Sequence, residues 1–168
     1  MHVLTAARSC RHQIRPGHPR ANGAGNANTV GGKSAGQLTA TSGFGQLTRT
    51  VTLPRSTSIP LASAQITTQS AGRVLASGSA ELVGADGGEE AGCFIRFDQP
   101  GGLGPESLRY EAQADDSGTD NPFVIAVNFA TTLPAGTHTA GLFCRRDDPA
   151  IATVNSEDAA ISLIGVGS

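Results

Sequence analysis

The sequence predicts an all-β fold: an antiparallel β-sandwich of jelly-roll type, with about eight strands, behind an N-terminal stalk. Three observations predict it. Apolar and polar residues alternate with period two in a series of short segments, the pattern of a half-buried strand. Glycine- and proline-rich punctuation separates those segments. No segment sustains apolar residues at i, i+3, i+4 and i+7, and the β-branched and threonine content disfavours long helices.

Taken in order, residues 1–45 are rich in Gly, Asn, Ser, Thr and Ala and poor in large apolar side chains. Such a stretch cannot bury enough surface to offset the entropy of ordering, so it is expected to be a stalk or disordered tail. The domain is expected over residues 46–168. It opens with Leu47, Arg49, Val51 and Leu53 alternating against Thr48, Thr50 and Thr52. Further strands are expected over residues 58–68, 73–83, 92–98, 108–113, 123–131, 138–145 and 160–166. Between them stand turn-formers such as Gly84-Ala85-Asp86-Gly87-Gly88, Pro100-Gly101-Gly102 and Pro134-Ala135-Gly136, whose Gly and Pro set the backbone angles of turns. Phe123, Ile125, Val127 and Phe129 would form a central buried row. With no Trp and 4% aromatic residues, the core leans on small aliphatics.

Two strand patterns each carry one cysteine on the apolar face. Cys93, Ile95 and Phe97 oppose Arg96 and Asp98, and Ala140, Leu142 and Cys144 oppose Thr139 and Arg145. Both sulfurs therefore point into one core, and a Cys93–Cys144 disulfide is expected across the sandwich, pinning its two sheets. The third cysteine, Cys10, is left over. It lies among Arg8, Arg11, His12, Arg15, His18 and Arg20 in a stretch without hydrophobic period, which reads as a basic arm. Cys10, His12 and His18 have no zinc-finger spacing and lack a fourth ligand.

A formal net charge of −2 argues against binding to a phosphate backbone, which needs a clustered excess of Lys and Arg. No apolar run approaches the roughly 20 residues of a membrane-spanning helix, so neither nucleic acid nor membrane insertion is expected. The first eight residues are too short an apolar stretch for a secretory signal. The charged content of 15% is low, leaving a surface covered by Ser, Thr, Gln, Asn and Gly, as in many secreted β-proteins.

Residues 26–38, from Asn26-Ala27-Asn28-Thr29-Val30-Gly31-Gly32 onward, resemble the short N-A-x-T-V-x-G segment of phage tail-fibre and bacterial surface-fibre proteins, with Gly31 where those segments usually carry Asp. Leu133-Pro134-Ala135-Gly136-Thr137-His138-Thr139 leading to Leu142 and Cys144, followed by residues 159–166, is similar to C-terminal β-sandwich modules of actinobacterial surface or secreted proteins. More loosely, such modules resemble complement globular-head and tumour-necrosis-factor-like jelly rolls, which commonly trimerise. These resemblances imply an extracellular, cell-surface or virion-surface location and a homo-oligomer, a trimer in particular.

Gly32-Lys33-Ser34 ends a relaxed phosphate-loop pattern, and residues 32–36 match a nucleophile-elbow pattern. Both need a strand, a sharp turn and a helix, which the all-β reading excludes. His138, just after the 134–136 turn, is expected at the rim of a strand end. Asp86, Glu89 and Glu90, and Asp115, Asp116 and Asp120, are expected in loops, as ligand contacts or as oxygen donors to calcium, a hard cation. No other cofactor is expected. The chain is therefore expected to be no enzyme but a surface or fibre-tip module for binding or assembly, contacting a glycan or surface protein. The alternatives are a sandwich hydrolase of polysaccharide or ester and a purely structural self-assembling protein.

Overall fold

The computed structural model describes residues 29–30, 33–34, 40–84, 90–99, 102–113, 121–147 and 153–167. Among them every regular element is a strand: β1 (Thr29–Val30), β2 (Lys33–Ser34), β3 (Ala40–Gln46), β4 (Val51–Thr52), β5 (Ile59–Thr68), β6 (Gly72–Gly84), β7 (Glu90–Gln99), β8 (Gly102–Glu106), β9 (Tyr110–Gln113), β10 (Asn121–Leu133), β11 (Gly136–Arg146) and β12 (Val154–Gly167). β1 and β2 pair with each other. The rest form two antiparallel sheets. Sheet one runs β10-β6-β12-β3, with β4 also on β12; sheet two runs β5-β11-β7-β8, with β9 also on β7. Numbering the principal strands β3, β5, β6, β7, β8, β10, β11 and β12 from one to eight, sheet one reads 6-3-8-1 and sheet two 2-7-4-5, the interleaved order of a jelly roll.

The alternation that marked the strands also fills the core. Val74, Ala76, Leu82, Val127, Ile161 and Leu163 of sheet one are buried against Ile66, Ile95, Phe97 and Leu142 of sheet two. Each of the larger aliphatics contributes roughly 1.5–3 kcal/mol by leaving water.

Several elements differ from the sequence expectation. Sheet pairing begins at Ala40, ahead of residue 46, because β3 is the edge strand of sheet one and pairs with β12 from Ala40↔Val166 to Gln46↔Ala160. Its Gly43 and Gly45 close one side of the sandwich. A β-carbon on Gly43 would fall onto the carbonyl oxygen of Gln65, and one on Gly45 onto that of Ser63, so β3 and β5 approach backbone to backbone. Of the alternating residues 47–53 only β4 is strand. Leu47 and Leu53 are nonetheless buried, their N–H groups donating to the carbonyls of Ala159 (2.7 Å) and Val154 (2.8 Å). β8 occupies residues past the 100–102 turn that alternation did not mark. Ile125 and Val127 are buried as expected, but β10 is an edge strand rather than a central one, and Phe123 and Phe129 are only partly buried.

The Cys93–Cys144 disulfide is present, but it does not cross the sandwich. Both cysteines belong to sheet two, where they are register partners on adjacent strands β7 and β11, 4.2 Å apart at Cα. Directly opposed residues of a non-hydrogen-bonded antiparallel pair come this close. The bond cross-braces one sheet instead of tying two together.

Candidate binding surface

Three chain crossings between the sheets gather at one end of the sandwich. Gly84 of β6 is the register partner of both Asn121 of β10 and Val154 of β12. In sheet two Glu90 pairs with Gln113, and the Asp147 N–H donates to the Glu90 carbonyl at 2.9 Å. The connections 85–89, 114–120 and 148–152 therefore leave from and return to neighbouring positions. The strand ends that flank the two predicted loops thus lie at one end of the sandwich. Asp86, Glu89, Asp115, Asp116 and Asp120 themselves lie outside the described residues; Glu90 is half-buried at the start of β7. Among the described residues no group of three or more His, Cys, Asp or Glu side chains is placed to hold a metal ion.

The middle of the outer face of sheet one is built from small side chains. Along β6 the face presents Arg73, Leu75, Ser77, Ser79 and Glu81; their partners on β12 are Val166, Ile164, Ser162, Ala160 and Asp158. The arginine and the carboxylates stand at opposite ends, and the middle is uncharged. Leu75 (48% exposed), Ile164 (51%) and Val166 are neighbouring positions in the register, and Phe44 (67%) stands beside them on β3. At the carboxylate end the register of β12 shifts between Ser156 and Asp158, and a shallow cavity of about 300 Å³ opens there, lined by Gln46, Ser79, Glu81, Val124, Asp158, Ala159 and Ala160.

The outer face of sheet two is built differently. Phe143 of β11 and Phe94 of β7 are register partners whose rings stack at 5.5 Å with an interplanar angle of 12°. The Arg96 guanidinium lies 4.1 Å from the centre of the Phe143 ring, and that of Arg109 lies 5.9 Å from the centre of Phe94. Phe143 leans over Gly141, where a β-carbon would stand 2.6 Å from the ring, so the absence of a side chain lets the ring lie flat. Asp147 receives the Arg145 Nε–H at 2.6 Å on Oδ1, and Arg109 Nη1 stands 3.8 Å from the same oxygen. Farther along the face the side chains are polar, with the Thr67 and Thr137 hydroxyls 3.0 Å apart. Sequence reasoning did not find the Arg–Phe column. Its signal was Gly141-Leu142-Phe143 paired with Phe94-Ile95-Arg96, which only the β7–β11 register aligns.

His138 is not at the rim. It is 4% exposed, faces inward at the end of β11, and its Nε2 donates to the Pro134 carbonyl at 2.9 Å. The Thr68 hydroxyl donates to the same carbonyl at 2.7 Å. Gly136, at φ 137°, supplies the backbone angle of this turn that other residues avoid. The imidazole thus secures a turn and has no access to a substrate. Lys33 and Ser34 form strand β2, so the phosphate-loop and nucleophile-elbow patterns end on a strand rather than opening a helix. Cys10, His12 and His18 lie outside the described residues.

No protein-family model and no curated protein matches the chain. Among solved structures it is similar to the Eiger TNF of S. frugiperda, at 12% identity and a TM-score of 0.49 over 76% of this chain and 91% of that one. It is also similar to infectious bursal disease virus strain Gx (14%, TM-score 0.36, 76% of this chain and 30% of that one). A third is the carbohydrate binding module CBM6cm-2 of Cellvibrio mixtus lichenase 5A, in complex with cellotriose (14%, TM-score 0.30, 67% and 85%). These are jelly-roll β-sandwiches, and the likeness is one of fold.

Proposed function

We propose that the chain is a non-enzymatic surface or fibre-tip module that assembles with copies of itself and contacts a surface ligand through the loops at one end of the sandwich. The observation that carries this reading is the outer face of sheet one. Leu75, Ile164, Val166 and Phe44 leave apolar area in water on a face with no charge in its middle, the composition of a surface that a partner covers. Small serine and alanine side chains around them allow close approach. The disulfide supports an extracellular, cell-surface or virion-surface location, since such bonds persist in oxidising compartments. A trimer is the assembly this reading favours, by analogy with the tumour-necrosis-factor-like jelly rolls, and a glycan or surface protein is its ligand. Calcium held by the carboxylates of the 85–90 and 114–120 connections belongs to the same reading; a rise in the thermal midpoint on adding calcium, reversed by chelator, tests it.

Native mass spectrometry of the unreduced protein tests the whole reading. A trimer carrying one intramolecular disulfide is expected, and Leu75→Asp with Ile164→Asp is expected to yield monomer. A wild-type monomer at micromolar concentration overturns the assembly reading.

A further inference from the structure

The large apolar side chains exposed among the described residues fall into two groups. One stands on the outer face of sheet one, where Val124, the register partner of Glu81, joins Phe44, Leu75, Ile164 and Val166. The other, Leu103, Leu108 and Tyr110, lies on or between β8 and β9, the edge of sheet two away from β5. On that side of the sandwich β9 packs beside β10, the edge strand of sheet one, whose Phe123 and Phe129 are only partly buried. The opposite side is closed by the backbone approach of β3 and β5 at Gly43 and Gly45. The sandwich thus has one sealed side and one open, apolar side.

Symmetry connects the two groups. A face that meets itself builds a two-fold pair, whereas a ring of three needs two different surfaces, each copy offering one to the copy before it and the other to the copy after it. Charge follows the same division. Along β7 from the loop end, Tyr110 pairs with Cys93, Glu106 with Arg96 and Leu103 with Asp98, so the part of this edge away from the loops carries carboxylates. On the face of sheet one the end away from the loops carries Arg73, while Glu81 and Asp158 stand toward the loops. Among the described residues neither Arg73 nor Glu106 forms an ion pair. Copies standing side by side with their loop ends level bring Arg73 and Glu106 to the same end of the contact. Faces paired about a two-fold axis either set Arg73 against Arg73 or point the loop ends of the two copies in opposite directions, which a module that offers its loops at one tip does not do.

We propose that the open side of one copy, at Leu103, Leu108 and Tyr110, seats on the outer face of sheet one of the next copy, with Glu106 of the first meeting Arg73 of the second, and that three such contacts close a ring. The proposal rests on the assembly reading above and supplies the second surface that a trimer requires. Native mass spectrometry of the full chain over a concentration series tests it, with circular dichroism reporting the fold of each variant. Leu103→Asp with Leu108→Asp is expected to yield folded monomer, as Leu75→Asp with Ile164→Asp does, because both pairs are exposed and neither fills the core. Arg73→Glu and Glu106→Arg are each expected to raise the concentration needed for half assembly about tenfold, since like charges then face each other across the contact. The double reversal leaves the net charge unchanged and is expected to restore assembly, which isolates the pair. It keeps the test open should an edge variant fail to fold. A trimer that survives Leu103→Asp with Leu108→Asp, or a double reversal no better than its single variants, overturns this contact while leaving the face of sheet one as the assembly surface. A wild-type dimer overturns it as well, because a face that meets itself closes with two copies. A wild-type monomer overturns the assembly reading itself.

Discussion

The two sheets share one core but differ in what braces them. Sheet two is braced on both sides: the Cys93–Cys144 bond joins β7 to β11 on the inside, and the Arg96–Phe143–Phe94–Arg109 column lies across the same strands on the outside. Among the described residues sheet one has no such brace, and its outer face exposes Leu75, Ile164, Val166 and Phe44 together among serines and alanines, whereas on sheet two Leu103 is exposed on the edge strand β8. Side chains that stabilise a fold are recognisable by what they touch within it. Leu75, Ile164, Val166 and Phe44 keep 48–67% of their surface in water, the area that the proposed assembly would cover.

Four measurements break or sharpen that contrast. The largest effect is expected from removing the brace. Cys93→Ala with Cys144→Ala opens a loop of sequence separation 51 and is expected to cost about 4 kcal/mol in the chain-entropy model, a fall in thermal midpoint of roughly 8–16 °C. An unchanged midpoint would mean that the β7–β11 ladder alone fixes this pair. Next, Gly45→Val places atoms against the Ser63 carbonyl at the closed side of the sandwich; about 3 kcal/mol is expected in denaturant unfolding, because backbone cannot move aside as a side chain does. Phe143→Ala removes the ring stack and the seat of Arg96, with an expected loss of roughly 1–2 kcal/mol. The smallest effect on folding belongs to sheet one. Leu75→Ser with Ile164→Ser is expected to change the stability of the monomer by less than about 0.5 kcal/mol while abolishing assembly. A large loss of monomer stability there would erase the distinction between the two faces.

Much of the fold was legible. Period-two alternation marked β5, β6, β7, β10, β11 and β12 to within a few residues, except for the start of β12, because burying one face of a strand leaves its trace in every second residue. β3 was missed for a physical reason. Residues 40–46 are Ala-Thr-Ser-Gly-Phe-Gly-Gln, and glycine in such a run reads as a flexible segment. Here Gly43 and Gly45 are the residues that let β3 lie against the carbonyls of β5, a use of glycine visible only when both strands are in place. His138 was misplaced because a strand-end histidine is exposed or buried according to the turn that folds over it, and the Pro134 carbonyl turned back to meet its ring. The Arg–Phe column was invisible because its members are spread over residues 94–143 and meet only through register.

The cysteines show where the division falls. By itself the sequence determined that Cys93 and Cys144 face inward, since period two assigns a residue to a face from its neighbours alone. Which strand lies beside which was decided only by the tertiary structure. Jelly-roll winding set β7 next to β11, so two inward sulfurs that could have met across the core met along one sheet instead. Alternation is a local property of a strand, whereas adjacency depends on how the whole chain is wound.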